Sequence, residues 1–132
     1  MDAELEAIAS KVIDVAMGIH VDVGPGLLES VYETLLANRL RAVGFGIDRQ
    51  MPVRAIIDGT EFPDAFRIDI FVSKCLIIEV KSVEKLAPVH AKQTLTYLRL
   101  MKLPLGLLIN FGGITLKEGL KRVVNNYREF GA

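Results

Sequence analysis

Apolar residues recur every three or four positions at the start of the chain. One such run spans residues 5–19 and a second spans residues 27–40. This spacing predicts two amphipathic helices, each of which buries one face. Gly24-Pro25-Gly26 interrupts the pattern between them, and Gly44 is suited to end the second helix.

The period then changes to that of extended strands. Residues 47–57 predict a strand, and Asp58-Gly59 predicts a hairpin turn into a short partner strand near residues 60–62. Residues 66–72 and 76–80 are rich in β-formers and are separated by only three residues, so they predict a second hairpin.

The last part of the chain adds two helices around one more strand. Pro88 suits the first turn of a helix that runs to about residue 101, because proline there loses no intrahelical hydrogen bond. Residues 105–110 predict a short apolar strand, and residues 116–127 predict a closing helix. The predicted order is α-α-β-β-β-β-α-β-α, an α/β fold with helices flanking a mixed sheet of four to five strands. Since no repeat or low-complexity linker interrupts residues 1–132, we expect one domain.

Formal charges cancel over the whole chain, with 16 Lys+Arg against 16 Asp+Glu in 132 residues. This balance argues against a strong non-specific nucleic-acid binder and against an acidic, disordered chain. Residues 1–66, however, carry 5 basic and 11 acidic side chains, whereas residues 67–132 carry 11 basic and 5 acidic ones. Such asymmetry is a hint of a charged partner, and the alternative is that the two halves interleave and neutralise each other.

Three features bear on the compartment in which the protein works. Cys75 is the only cysteine, which excludes a disulfide framework and a cysteine-based zinc site. The N-terminal residues are acidic where a signal peptide needs positive charge. The longest uncharged run, residues 103–116, is too short to span a bilayer. We therefore expect a cytoplasmic protein with no membrane partner.

Three charged residues stand out in the otherwise apolar second hairpin, namely Asp69, Glu79 and Lys81. Side chains alternate faces along a strand, so Glu79 and Lys81 share one face. If residues 73–75 form the loop, Asp69 opposes Glu79 and Arg67 opposes Lys81, which puts the two carboxylates about 5 Å apart at Cβ.

Two like charges that face each other on a buried sheet are destabilising unless something compensates them. A divalent cation such as Mg²⁺ would do so, since it prefers carboxylate oxygens. Lys81 would then orient a water molecule or stabilise negative charge on a phosphate. The alternative is an exposed sheet edge with an ordinary Glu–Lys pair.

Motifs along nearly the whole chain, from about residue 13 to residue 124, resemble a known family. The segment from Gly26 through Glu29 to Tyr32 matches the Gly-x-x-Glu-x-x-Tyr signature of the GxxExxY family. The other motifs follow in that family's order: Arg67-Ile68-Asp69, Glu79-Val80-Lys81, Pro88-Val89-His90, Gln93-x-x-x-Tyr97 and residues 106–111. This family resembles a minimal PD-(D/E)XK nuclease, with a restriction-endonuclease-like core. The proline that precedes the aspartate in that superfamily is replaced here by Ile68.

The resemblance implies a role for each matching residue. Asp69 and Glu79 correspond to the metal-binding acids and Lys81 to the active-site lysine, with the Val80 carbonyl as a further metal ligand. Glu29 corresponds to the acid that many members place beside the metal on their first core helix. Gln93 and Tyr97 match a helix motif that lies near the site and the substrate in exonuclease-like members.

Helical spacing is compatible with these roles, because Gln93 and Tyr97 share a face. For the two tyrosines, Tyr32 and Tyr97, core packing is at least as good an interpretation as substrate contact. For His90 we expect a role at the helix N-terminus, and for His20 packing against or capping of the first helix.

The resemblance therefore implies a Mg²⁺-dependent nuclease, with Mn²⁺ as a possible substitute, that hydrolyses phosphodiester bonds of nucleic acid, DNA in preference to RNA. The alternatives are a non-catalytic nucleic-acid-binding or assembly module on the same fold, and a purely structural domain. Because the chain is short and shows no recognition domain, we expect a homodimer or a partner protein. The candidates for phosphate contacts are Lys74, Lys85, Lys92, Arg99 and Lys102.

Overall fold

The computed structural model describes residues 1–126, which form four helices and five strands. In chain order the elements are α1 (Ala3–Val23), α2 (Glu29–Ala42), β1 (Ile47–Ile57), β2 (Thr60–Val72), β3 (Leu76–Lys81), α3 (Pro88–Met101), β4 (Leu105–Asn110), α4 (Leu116–Gly119) and β5 (Leu120–Val124).

The five strands form one mixed sheet in the order β1-β2-β3-β4-β5. Only β3 and β4 run parallel, with Lys81 paired to Asn110 at their carboxyl ends, and the other neighbours are antiparallel. The crossover between the parallel strands is α3, as a parallel connection requires. This mixed sheet with flanking helices confirms the predicted α/β class and is consistent with a restriction-endonuclease-like fold.

Two apolar clusters cover the two faces of the sheet. One joins α1 and α2 to alternate residues of the central strands, including Ile78 and Val80. The other joins Leu98 of α3 to the opposite set, including Ile77 and Leu108. The central strands are thus buried on both faces, which explains why they read as nearly continuous apolar runs.

The structure corrects the predicted N-terminal part of the sheet. The predicted strands over 60–62 and 66–72 are a single strand, β2, which pairs with β1 along most of its length. The prediction broke the strand at Pro63-Asp64, but the register shifts between Val53 and Ala55, and this irregularity accommodates the proline.

The closing helix predicted over 116–127 is also wrong. Only Leu116–Gly119 is helical, and Leu120–Val124 forms β5, antiparallel to β4. The β-branched Val123 is buried on the α3 face, and pairing satisfies the edge of β4 that would otherwise be open. Gly119 permits the turn, since a side chain there would collide with the Asn110 carbonyl. The predicted end at Tyr127 lies outside the described residues. The element order is therefore α-α-β-β-β-α-β-α-β.

No helix within residues 1–126 is both long enough and apolar enough to cross a membrane.

Candidate active site

The hairpin of β2 and β3 places Asp69 beside Glu79, as the sequence predicted. Phe71 pairs with Ile77 and Ile70 with Ile78, and the backbone ladder ends there. Beyond that point, the backbone N–H groups of the two strands donate to the carboxylates of Asp69 and Glu79 and not to backbone carbonyls. The Val80 N–H donates to Asp69 Oδ2 at 2.8 Å, and the Asp69 N–H donates to Glu79 Oε2 at 3.1 Å. Each acid is thus held by the backbone of the opposite strand.

The alternation of faces along β2 breaks at Asp69. Ile68 belongs to the apolar cluster on the α3 side, whereas Ile70, two residues later, belongs to the cluster on the α1–α2 side. A regular strand would put both on one face. The irregularity lets the Asp69 side chain reach across to the β3 backbone.

The side chain of Glu79 is almost fully buried at the site. Burial first, and then the negative charge of Asp69, raise the pKa of Glu79 to about 9. The positive charge of Lys81 acts in the opposite direction. A buried carboxyl group beside a half-buried carboxylate is unfavourable without a compensating charge, and such an arrangement is expected of a functional site.

Lys81 lies on the same face of β3 as Glu79, one pleat further on, and is half-buried. The Lys81 carbonyl accepts a hydrogen bond from the Phe111 N–H at 2.8 Å, which extends the parallel ladder to the end of β4. The predicted pairing of Arg67 with Lys81 is absent. Arg67 instead pairs with Pro52 on β1, and its guanidinium binds Asp64 at 2.9 Å.

The motif from Gly26 to Tyr32 builds the turn that presents Glu29. The Tyr32 hydroxyl donates to the Gly24 carbonyl at 2.6 Å and accepts from the Leu27 N–H at 3.1 Å. Gly26 adopts a φ of 108°, a conformation that favours glycine. The Tyr32 ring is fully buried and stacks on Phe111, with centroids 4.7 Å apart. Tyr32 is therefore a structural residue that fixes the start of α2.

Glu29 is the first residue of α2 and lies near the end of β3. The Ser82 hydroxyl, one residue past β3, donates to the Leu27 carbonyl at 2.7 Å and ties this turn to the strand. Partial burial raises the pKa of Glu29, Lys81 opposes that shift, and the charges of Asp69 and Glu33 reinforce it. The structure thus brings Glu29 within electrostatic reach of Asp69 and Lys81.

The α3 residues fall into two groups. Tyr97 is half-buried, its ring stacks on Phe66 at 4.1 Å, and burial followed by the charges of Glu79 and Asp69 raises its pKa. Tyr97 therefore faces the site. Gln93 lies one turn earlier on the same face and is exposed. The His90 ring accepts from the Ala87 N–H at 3.0 Å, which confirms its expected role at the helix start.

His20 joins α1 to the loop after β4. Its ring nitrogen Nε2 lies 3.0 Å from the Gly113 carbonyl, and the side chain is buried. This contact confirms the packing role that the sequence suggested.

Three residues that the sequence analysis missed form a hydrogen-bonded chain to Asp69. The buried Glu33, on α2, accepts from Arg49 at 2.8 Å and from the Gln50 side-chain amide at 2.6 Å. The same amide donates to Asp69 Oδ1 at 3.2 Å. The available signal was the spacing of Glu33 one turn after Glu29, which places both acids on one helix face.

The candidate phosphate-binding cations do not lie together. The site occupies the carboxyl end of the β3–β4 pair, and Lys85 follows β3 at that end. Lys74 precedes β3 and Lys102 precedes β4, so both lie at the opposite end of the pair. Of these three candidates, Lys85 alone lies at the end of the sheet that carries the site.

The donor chemistry of the site suits a hard divalent cation. Asp69 and Glu79 supply carboxylate oxygens that are already oriented by backbone N–H groups, and Glu29 supplies a third acid nearby. Among residues 1–126, no group of three His, Cys, Asp or Glu side chains is already close enough to enclose an ion. Approach of Glu29, or ligation by the Val80 carbonyl and water, would complete such a set.

Comparison with protein families agrees with this geometry. The family model of the PD-(D/E)XK nuclease superfamily matches residues 6–123, which include every candidate site residue. Comparisons with curated proteins and with solved structures each gave no match. The matched segment covers both helices that flank the site and all five strands except the last residue of β5. The chain therefore belongs to the PD-(D/E)XK nuclease superfamily.

Proposed function

We propose that this protein is a metal-dependent nuclease in which Asp69, Glu79 and Lys81 form the catalytic centre. The observation that carries the proposal is the pair of carboxylates, Asp69 and Glu79, each locked onto the other strand's backbone at the end of a buried hairpin. Such a pair costs stability, and a divalent cation offsets that cost. Membership of a nuclease superfamily supports the same assignment.

Each site residue has a proposed role that follows from its position. Asp69 and Glu79, with Glu29 and the Val80 carbonyl, would hold Mg²⁺ or Mn²⁺. The bound cation would supply neutralisation of phosphate charge and a water activated for attack. Lys81, which lies beside Glu79 at the strand end, donates hydrogen bonds to a phosphate oxygen as its negative charge grows. Gln93 and Tyr97 contact the substrate from α3.

The substrate and setting are further parts of the proposal. Superfamily membership implies nucleic acid, and we propose DNA in preference to RNA. Residues 1–126 present few cations near the site, so we propose that a second copy or a partner protein supplies more of the nucleic-acid surface. The single cysteine is in keeping with action in the cytoplasm. The narrower assignment to the GxxExxY family rests on the turn formed by Gly26, Glu29 and Tyr32.

A cleavage screen tests this function. Purified wild type is incubated with single-stranded, duplex and branched nucleic acids in Mg²⁺, Mn²⁺ or EDTA. We expect metal-dependent cleavage that Glu79→Ala reduces to the EDTA level, and that Lys81→Met slows by about 100–1,000-fold. Glu4→Gln, which removes an exposed acid on α1, is the matched control and should cleave like wild type.

Two results would count against the nuclease assignment. Equal cleavage by wild type and Glu79→Ala would trace the activity to a contaminant or to another site. Metal-independent binding of nucleic acid without cleavage of any substrate would support a non-catalytic binding or assembly module on this fold.

A further inference from the structure

Gln50 adopts a backbone conformation that is unusual in the interior of a strand. Its φ is 47°, in the left-handed region that favours glycine, although β1 continues on both sides of it. A non-glycine residue is strained in this conformation, and such strain persists only where the surroundings enforce it. The position of this strained residue in the sheet indicates its role. Arg49 pairs with Ile70 and Met51 with Ile68, so Gln50 stands opposite Asp69.

The strained conformation lets the Gln50 side chain bridge two acids. Its amide nitrogen donates to Glu33 Oε1 at 2.6 Å and to Asp69 Oδ1 at 3.2 Å. A side-chain amide has two N–H donors, and both are used here. A carboxylate at this position would have no donor for either acid.

Glu33 provides a rigid anchor for this bridge. Its side chain is buried on α2, and its other oxygen accepts from the Arg49 guanidinium at 2.8 Å. The same guanidinium nitrogen donates to the Thr34 hydroxyl at 3.0 Å. The guanidinium compensates the buried charge of Glu33, so the anchor needs no metal.

We infer that Gln50 is a positioning residue that holds the Asp69 carboxylate in the orientation required for metal binding. Gln50 fixes Oδ1 and the Val80 N–H fixes Oδ2, so the carboxylate cannot rotate. Each oxygen keeps a free lone pair for a cation. This inference rests on the proposed function of the site. Under this inference, residues on β1 and α2 hold in place metal ligands that lie on β2 and β3.

Two substitutions separate positioning from simple stability. Gln50→Asn keeps the amide and tolerates the left-handed backbone better, but it is one methylene too short to bridge Glu33 and Asp69. Gln50→Gly relieves the backbone strain and removes the amide altogether. Arg54→Ala is the control, since Arg54 lies on the same strand and binds only the exposed Glu61 among residues 1–126.

The experiment is a calorimetric titration of each protein with Mn²⁺ in the absence of nucleic acid. We expect the Kd for Mn²⁺ to rise about 10–100-fold in both Gln50 variants, as for other residues that orient metal ligands. Urea denaturation of each variant checks that the protein is folded under the conditions of the titration. Amide hydrogen exchange at Val80, measured without metal, should accelerate in both variants because Asp69 Oδ2 no longer holds that N–H. Arg54→Ala should match wild type in each measurement.

The outcomes distinguish this inference from the function on which it rests. An unchanged Kd in both Gln50 variants, with wild type binding Mn²⁺, would overturn the positioning role and leave the nuclease proposal intact. Wild type that binds no Mn²⁺ would overturn both. A rise in Kd together with unchanged Val80 exchange would also contradict the inference, because the loss would not act through Asp69.

Discussion

Replacing Tyr32 with phenylalanine tests the role of the turn that precedes α2. The substitution keeps the buried ring and its stacking on Phe111 but removes one oxygen. That oxygen donates to the Gly24 carbonyl at 2.6 Å and accepts from the Leu27 N–H at 3.1 Å. Each backbone group left without a partner costs about 1–3 kcal/mol. Because Gly24 and Leu27 are partly exposed, water offsets part of the loss, and we expect about 2 kcal/mol in total.

Urea denaturation followed by circular dichroism measures this loss. The midpoint should fall with an unchanged m-value, and the thermal midpoint should fall by roughly 4–8 °C. Tyr97→Phe is the matched control, since within residues 1–126 the Tyr97 hydroxyl has no hydrogen-bond partner, and it should change stability by at most about 0.5 kcal/mol. A loss below about 0.5 kcal/mol for Tyr32→Phe would refute the idea that this hydroxyl fixes the turn.

Two further substitutions test the site and its supporting loops. Without metal, in EDTA at pH 7, Glu79→Gln should stabilise the protein by about 0.5–2 kcal/mol in urea denaturation. The raised pKa of Glu79 means that this carboxyl must take up a proton when the protein folds at pH 7, whereas a buried glutamine does not incur that cost. A loss of stability would contradict the view that this pair is maintained for function. Gly112→Ala should destabilise by about 1–3 kcal/mol or more, since the added Cβ would lie 2.6 Å from the Val83 backbone nitrogen. Gly46→Ala meets no atom within 4 Å and should be nearly neutral by the same measurement, and equal effects of the two would contradict this packing argument.

The central part of the fold was predictable from the sequence because its patterns are local. The helical period predicts α1 and α2 from their own residues alone. The apolar runs predict β3 and β4 in the same local way. The segment after Gly119 was not predictable in this way. Leu116, Leu120 and Val124 have helical spacing, yet Val123 is buried by pairing β5 with β4, a long-range contact that overrides local pattern.

The site was predictable to the extent that its residues face each other across one hairpin. The opposition of Asp69 and Glu79 follows from a three-residue loop, and the pairing of Phe71 with Ile77 confirms that register. The end of the ladder and the insertion of both carboxylates into it did not follow, because they depend on a break in the alternation of β2. The bridge through Gln50 was hidden for a similar reason, since a positive φ in a strand has no signature in a glutamine.

A calorimetric titration of wild type and Glu79→Gln with Mn²⁺ tests directly whether Asp69 and Glu79 bind a metal. We predict saturable binding to wild type, weakened beyond detection in Glu79→Gln even though that variant folds at least as stably. The Glu4→Gln control should bind like wild type. Equal binding by wild type and Glu79→Gln, or no binding by wild type at millimolar Mn²⁺, would contradict the claim that the Asp69–Glu79 pair is a metal centre.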